Sequence, residues 1–220
     1  MAQLLRALHI SPRHGVVYVN NAKVACSSIK LALQRAELDD QHYLPSESVH
    51  SLPGSPLLTA ETLTAGTWRA ALEGRYVFSF VRAPWGRLRS AYLNKIVTGQ
   101  KDGNFRAQLG FDRGEVPSFE AFVHALGEQD PVEMNGHWRP QWINISHGEI
   151  AFDFLGRLES IAPDWARVSA ATGLPFDLPR AGKSTAKDAP TLVFTPAMAE
   201  IVRAVYAEDF RRFDYPDVPD

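Results

Sequence analysis

The sequence predicts an α/β fold with a central, mostly parallel β-sheet. Short apolar runs typical of strands alternate along the chain with apolar stripes at helical spacing. The run at 76–81 is apolar at nearly every position, as a parallel strand covered on both faces should be. The chain has 220 residues, which fits one domain of ordinary size, so we expect a single domain over 1–220.

Three segments have the composition of strands. They lie at 16–19, 76–81 and 150–155. The first is β-branched and aromatic, and the third alternates more than the second, with a polar residue at Asp153. We expect all three to join the central sheet.

Five helical stripes separate and follow these strands. Serine, threonine and proline are favoured where helices begin, and such residues precede four of the stripes. The predicted starts are Ser27 or Ser28, Pro84, Ser118 and Thr195-Pro196, and a weaker stripe runs through Trp165. The stretches 39–67, 98–117 and 174–191 lack a periodic pattern and are predicted to be loops.

Composition and charge exclude several classes of protein. The net charge is −2, which disfavours general binding to nucleic acid or to an anionic membrane surface. A single cysteine excludes an intramolecular disulfide and a multi-cysteine zinc site, and no histidines have ligand spacing with a carboxylate, so we expect no metal. No apolar run is long enough for a membrane span or a secretory signal, and we expect a cytoplasmic protein.

The segment after the first predicted strand has the features of an anion site. Small residues and one lysine, Lys23, lead directly into a predicted helix. The N–H groups at a helix start are unpaired and favour negative charge. An ordinary strand-to-helix turn with a capping serine is the alternative. The segment is not a Walker A loop, because its glycines are missing.

A second candidate anion contact follows the strand at 76–81. Arg82 comes directly after that strand, and ligands of parallel sheets bind beyond the carboxyl ends of strands. Its guanidinium can hold a phosphate with two hydrogen bonds. Arg87 and Ser90 share one face of the next predicted helix. An arginine here, rather than an acidic magnesium ligand, favours an anion over a metal.

These two segments resemble those of the Golgi carbohydrate sulfotransferases of the chondroitin 4-O and heparan 2-O type. Residues 22–28, Ala-Lys-Val-Ala-Cys-Ser-Ser, are similar to the family's 5′-phosphosulfate loop, Pro-Lys-Val-Ala-Cys-Thr-Ser. Residues 80–92 are similar to its 3′-phosphate segment, Phe-Val-Arg-x-Pro-x-x-Arg-Leu-x-Ser-Ala-Tyr. Later blocks at 137–141, 152–159 and 206–215 follow in the family's order. Ala22 and Ala83 depart from the pattern, and no anchor or cysteine pairs are seen, which fits a bacterial-type soluble relative.

The resemblance implies a P-loop-like three-layer sandwich and a sulfotransferase. It implies 3′-phosphoadenosine 5′-phosphosulfate (PAPS) as the small-molecule donor and a hydroxyl of a carbohydrate or glycoconjugate as the acceptor. Arg82 and Ser90 would bind the donor's 3′-phosphate, with Lys183 as a further donor contact. The 5′-phosphosulfate would lie at Lys23, Val24, Ala25, Cys26, Ser27 and Ser28.

Sulfuryl transfer to an alcohol also needs a base, and histidine suits that task near neutral pH. His50, which lies between the two donor blocks, is the first candidate, and His137 is the second. Glu133 remains a third. Lys23 is expected to stabilise charge on the leaving group. The alternatives to a sulfotransferase are a nucleotide-dependent phosphotransferase of P-loop type and a non-catalytic module that binds glycans or nucleotides.

Overall fold

A computed structural model describes residues 2–99, 104–181 and 192–219. The chain divides into two compact units. The sheet unit comprises Met1–Val81 and Asn144–Gly182, and the helical unit comprises Arg82–Ile143 and Lys183–Asp220. The expectation of one domain over 1–220 stays a prediction.

A four-stranded sheet forms the centre of the sheet unit. Its strands are β1 (Leu8–Ser11), β2 (Val16–Val19), β3 (Tyr76–Val81) and β4 (Phe154–Arg157), in that spatial order. β1 is antiparallel to β2, whereas β2, β3 and β4 are parallel to one another. The predicted α/β fold with a mostly parallel sheet is confirmed, and so are the strands at 16–19 and 76–81.

The strand predicted at 150–155 is wrong in its bounds, because β4 begins at Phe154. The carboxylate of Asp153 accepts a hydrogen bond from the Val77 N–H at 2.7 Å, and the Asp153 N–H donates to the Val77 carbonyl at 2.8 Å. One residue therefore satisfies both main-chain groups of Val77, and regular pairing with β3 starts only after it.

Helices cover one face of this sheet. α1 (Ala2–Ala7) precedes β1, α2 (Cys26–Leu38) follows β2, and a 3-10 turn (Leu158–Ser160) leads from β4 into α7 (Ile161–Thr172). The core between the sheet and the helices α2 and α7 is apolar and includes Tyr18, Ile29, Leu33, Phe78, Phe80, Trp165 and Val168. Side chains on the other face, Val17, Val19, Val77, Ser79 and Val81, are buried too, as the central layer of a sandwich requires.

The helical unit packs around aromatic side chains. Its helices are α3 (Pro84–Ala91), a continuing π-helix (Tyr92–Val97), α4 (Asn104–Ala107), α5 (Phe119–Gly127), α6 (Gln141–Asn144), α8 (Pro196–Val205) and α9 (Ala207–Phe213). The predicted caps Ser118 and Thr195 are confirmed, because each side chain accepts a helix N–H. Rings in mutual contact include Trp85, Tyr92, Phe119, Phe122, Trp138 and Phe194.

Two local predictions are wrong. Ser27 and Ser28 lie inside the first turn of α2, and Ala25 occupies the N-cap position instead. The segment 98–117 contains the short helix α4 where only loop was expected. The segment 39–67 is a loop as predicted, tied to β1 by paired hydrogen bonds of 2.9 Å between Ile10 and Leu58. Within the described ranges, no helix has the length and apolar character that crossing a membrane would require.

Candidate functional site

The loop from β2 to α2, residues 20–25, has an unusual backbone. Lys23 and Ala25 have positive φ angles of 68° and 51°, although neither is glycine. Such residues cost conformational energy and cluster at functional sites. Left-handed residues that alternate with ordinary ones turn successive N–H groups toward one side, which forms a concave anion site. The backbone of the Lys23 loop is therefore shaped for an anion.

The start of α2 adds to this site. Its N-cap residue, Ala25, has no side-chain acceptor for the N–H groups of the first turn, which Cys26, Ser27 and Ser28 begin. The Val24 side chain is fully buried in the core and anchors the loop from below. Cys26 is half-buried and is a free thiol. Backbone N–H groups and Lys23 thus supply positive potential at one end of the helix.

A buried amide holds the loop on the sheet. The Asn21 side chain is fully buried, and its Nδ2 donates to the Phe80 carbonyl at 3.0 Å. Because Phe80 lies near the carboxyl end of β3, the contact ties the loop to the edge where ligands of such sheets bind.

His50 lies in the same unit and contacts α2. Its Nε2 is 2.9 Å from the Ser27 Oγ, and its Nδ1 is 3.3 Å from the Lys30 Nζ. The Lys30 side chain is buried, and this burial lowers its pKa to about 8, partly opposed by the charge of Cys26. The structure therefore places the first candidate base beside the predicted anion loop.

Ser28 has a partner in the chain itself. Its Oγ donates to the Ala181 carbonyl at 3.2 Å and lies 3.1 Å from the Ala181 N–H. The hydroxyl thus holds the end of the segment 174–181 against α2. Lys183, the further predicted donor contact, lies outside the described residues.

The helical unit contains the second predicted anion contact. Arg82 is half-buried, and its guanidinium lies over the first turn of α3. A Cβ atom added at Gly86 would come within 3.4 Å of the Arg82 Nε and Nη2 atoms. Ser90 is four residues beyond Gly86 on the same face of α3. The glycine therefore lets the Arg82 guanidinium pack closely on the first turn of α3.

The Arg82 backbone is clamped by one buried side chain. The Gln141 Oε1 accepts from the Arg82 N–H at 2.9 Å, and the Gln141 Nε2 donates to the Arg82 carbonyl at 2.8 Å. Asp209, fully buried, accepts from the backbone N–H groups of Gln141 and Trp142 at 2.8 and 2.9 Å. Burial raises the pKa of Asp209, against the effect of these hydrogen bonds. Asp209 thereby fixes Gln141, and Gln141 fixes Arg82.

Arg87 is buried, whereas Ser90 on the same helix is half-buried. Arg87 is 2% exposed, and it donates to the carbonyls of Arg139 at 2.8 Å and Gly136 at 3.0 Å. Both residues lie on α3, three positions apart, as predicted. Arg87 satisfies main-chain groups of the 136–139 turn.

His137, the second candidate base, is half-buried in the helical unit. Its Nδ1 is 2.7 Å from the Asn135 Oδ1, and its ring meets Phe105 edge to face. An amide oxygen only accepts, so Nδ1 carries the proton and Nε2 of a neutral His137 has the lone pair. Glu133, the third candidate, is exposed on the preceding turn.

Sequence reasoning missed the side chains that position these groups. Lys30 follows Cys26 by four residues, so helical spacing alone would place it on the face that carries Cys26. Asn21, Gln141 and Asp209 are polar residues within mostly apolar surroundings, a weak signal for burial. In the described parts of the chain, no three His, Cys, Asp or Glu side chains are grouped to hold a metal.

Comparison with known proteins adds a family match. Residues 6–216 match the model of a family described as the Sulfotransferase family. The chain is 31% identical over 172 residues to carbohydrate sulfotransferase 14 from Homo sapiens, covering 73% of this chain and 45% of the relative. It is 28% identical over 202 residues to carbohydrate sulfotransferase 12 from Xenopus laevis, with 72% and 46% covered. For carbohydrate sulfotransferase 11 from Rattus norvegicus, the identity is 26% over 240 residues, with 96% and 67% covered.

The chain spans about half the length of several of the curated relatives that it matches. No solved structure matches it significantly.

Proposed function

This chain belongs to the sulfotransferase family, and we propose that it transfers a sulfuryl group from PAPS to a hydroxyl of a carbohydrate or glycoconjugate. The resemblance to carbohydrate sulfotransferases that the sequence indicated is confirmed by the family match and by the relatives. The carbohydrate acceptor is proposed from the names of those relatives.

The backbone of the Lys23 loop carries this proposal. Two non-glycine residues with positive φ, Lys23 and Ala25, precede a helix start without a side-chain cap, and one of them is a lysine. This combination fits a multiply charged anion, which the 5′-phosphosulfate of PAPS is. The backbone from Lys23 to Ser28 would hold it, and Lys23 would stabilise the negative charge that grows on the leaving oxygen.

Arg82 and Ser90 are proposed to bind the 3′-phosphate. The half-buried Arg82 guanidinium lies over Gly86 and its backbone is held by Gln141, and a guanidinium on a fixed backbone can pair with a phosphate through two hydrogen bonds. The serine adds a hydroxyl donor. A 3′-phosphate distinguishes PAPS from ATP, so this contact would set the choice of donor.

His50 is proposed to remove the proton of the acceptor hydroxyl. Its contacts with Ser27 and Lys30 hold the ring beside the first turns of α2, next to the Lys23 loop. The bound donor supplies the sulfuryl group, and the chain supplies orientation, positive potential and the base. His137 is the second candidate for the base and Glu133 the third.

Calorimetry tests the choice of donor. We expect adenosine 3′,5′-bisphosphate to bind roughly tenfold to over a hundredfold more tightly than AMP, since one charge-assisted contact contributes about 1.5–3 kcal/mol. Arg82→Ala should remove most of that difference, and Arg211→Ala, an exposed arginine of the same unit, should leave it intact. Equal affinities in the wild type, or tighter binding of ATP with magnesium, would favour a phosphotransferase instead.

Transfer of radiolabelled sulfate from PAPS to a panel of carbohydrates tests the activity. His50→Ala should lower kcat by about 10²–10⁴-fold and leave the affinity for the bisphosphate nearly unchanged, because the base touches the acceptor. If His137→Ala shows this pattern and His50→Ala is nearly normal, the base is His137. Donor binding without transfer to any acceptor would indicate a binding module.

A further inference from the structure

Three side chains of the sheet unit form a chain of hydrogen bonds from the surface into the interior. The Ser27 Oγ lies 2.9 Å from Nε2 of His50, and Nδ1 of His50 lies 3.3 Å from the Lys30 Nζ. His50 is exposed, whereas Lys30 is only 4% exposed. The imidazole therefore connects the solvent-facing side of the loop with a buried amine.

This chain has two possible arrangements of protons. If Lys30 is charged it can only donate, so Nδ1 of a neutral His50 must accept and Nε2 must carry the proton. If Lys30 is neutral, its lone pair can accept the proton of Nδ1, and Nε2 then has the lone pair. Only the second arrangement lets Nε2 take a proton from a hydroxyl. A charged Lys30 thus prevents a neutral His50 from acting as a base at Nε2, and a neutral Lys30 allows it.

The surroundings of Lys30 favour its neutral amine at pH values above about 8. Within the described ranges, the titratable groups that face it are Cys26 on α2, His9 on β1 and His50. Burial lowers the pKa of Lys30 to about 8, against a smaller opposite effect of Cys26. Burial also lowers the pKa of His9 well below its ordinary value, with smaller effects of Lys30 and His50, so His9 stays neutral. A buried ammonium is costly, and a neutral amine removes that cost.

We propose that Lys30 is the final proton acceptor of the reaction and acts through His50. As the acceptor oxygen attacks sulfur, its proton passes to Nε2 of His50 and the proton of Nδ1 passes to the neutral Lys30 Nζ. The new O–S bond replaces the bond to the leaving phosphate oxygen. His50 ends neutral with its proton on Nε2, and Lys30 ends as an ammonium. This inference rests on the proposed function, in which His50 is the base.

The position of the proton on His50 can be measured without donor or acceptor. We expect ¹⁵N NMR of the histidine-labelled protein, with His50→Ala to assign the signal, to show the proton on Nε2 below pH 8 and on Nδ1 above it. In Lys30→Met the change between pH 7 and 9.5 should vanish, whereas Ser27→Ala, which removes only the Nε2 partner, should retain it. One unchanged tautomer in the wild type over this range would overturn the proposal.

Kinetics separate a proton acceptor from a fixed positive charge. Wild-type kcat/KM should rise with pH through a midpoint near 8, and Lys30→Met, which leaves no acceptor for the Nδ1 proton, should lower kcat/KM and remove that rise. Lys30→Arg, whose guanidinium stays charged, should lower kcat/KM by about 10²–10⁴-fold at every pH. If Lys30→Arg is nearly normal while Lys30→Met is inactive, Lys30 acts as a positive charge and the relay is wrong.

The two proposals can fail separately. If His50→Ala keeps full activity, His50 is not the base, and both its assignment and the relay are wrong. If His50→Ala is inactive but the NMR tautomer and the Lys30 variants do not respond as described, the relay alone is wrong.

Discussion

Replacing Gln141 with leucine should weaken binding of a 3′-phosphate, although Gln141 is fully buried and would not touch it. The Gln141 amide holds the N–H and the carbonyl of Arg82 at 2.9 and 2.8 Å. Leucine has a similar volume but cannot form either hydrogen bond. Loss of the two bonds should cost about 1–3 kcal/mol of stability, at about 0.5–1.5 kcal/mol each. It should also release the Arg82 backbone.

The effect on binding follows from the contact that Arg82 is proposed to make. A charge-assisted hydrogen bond contributes about 1.5–3 kcal/mol, and a displaced guanidinium should lose about half of that, or roughly tenfold in affinity. We therefore expect Gln141→Leu to bind adenosine 3′,5′-bisphosphate about tenfold more weakly and AMP equally well. Isothermal titration calorimetry with both nucleotides gives the ratio of the two affinities.

Gln129→Leu is a matched control for this measurement. Gln129 also makes two side-chain hydrogen bonds in the helical unit, one from the Trp138 indole at 3.1 Å and one to the Gln108 carbonyl at 2.8 Å. Loss of these two hydrogen bonds should destabilise the helical unit without moving Arg82. If Gln141→Leu keeps the wild-type ratio of affinities, or if Gln129→Leu loses it equally, then Gln141 does not position Arg82.

Three further predictions concern the sheet unit. Cys26→Ser should keep most of the transferase activity and no sulfated cysteine should be found by mass spectrometry, because we expect the half-buried thiol to pack under the loop rather than to react; inactivity with normal donor binding would indicate a nucleophile. Gly156→Ala should lower the free energy of unfolding by about 1–3 kcal/mol in urea, because its Cβ would lie 2.4 Å from the buried Phe80 ring; exposed Gly114→Ala, whose Cβ would meet no atom within 4 Å, is the control. Lys30→Met should stabilise the protein at pH 7 by up to about 3 kcal/mol, because folding lowers the pKa of Lys30 from 10.5 to about 8. Between those pH values only the unfolded state binds the proton, so the wild-type free energy of unfolding rises with pH and the extra stability of the variant shrinks toward pH 10.5. A stability difference that does not depend on pH would contradict this account.

The strands that the sequence predicted correctly are those whose own composition decides their structure. The runs at 16–19 and 76–81 are apolar on both faces, so burial in a parallel sheet is the one environment that suits them. β1 is only four residues long and contains His9, and it directly follows a helical segment, so no periodic signal marks it. The start of β4 depends on Asp153 binding Val77, a contact between residues 76 positions apart that no local pattern shows.

The candidate site also contains residues that the local sequence indicates and residues whose role depends on long-range contacts. Lys23 and Arg82 could be chosen as candidates because each follows a recognisable strand, and charge near a strand end has a chemical meaning from the sequence alone. The residues that hold them could not, since Asn21 reaches Phe80 and Gln141 reaches Arg82 across 59 positions each. Such contacts exist only after folding, and the same holds for the short distance between Lys30 and His50.

Asn21 and Gln141 satisfy the main chain near the end of β3 with the same kind of group, and the choice of an amide has a consequence for binding. An amide both donates and accepts and carries no charge, so it can pair with the buried N–H or carbonyl groups that follow a strand. A carboxylate could not donate to a carbonyl, and it would bring a negative charge near groups that are proposed to bind anions. A lysine could not accept from an N–H and would add the cost of a buried ammonium. Neutral amides therefore fix Arg82 and the Lys23 loop without adding a negative charge of their own, and the acidic residue of the clamp, Asp209, accepts hydrogen bonds from Gln141 and Trp142.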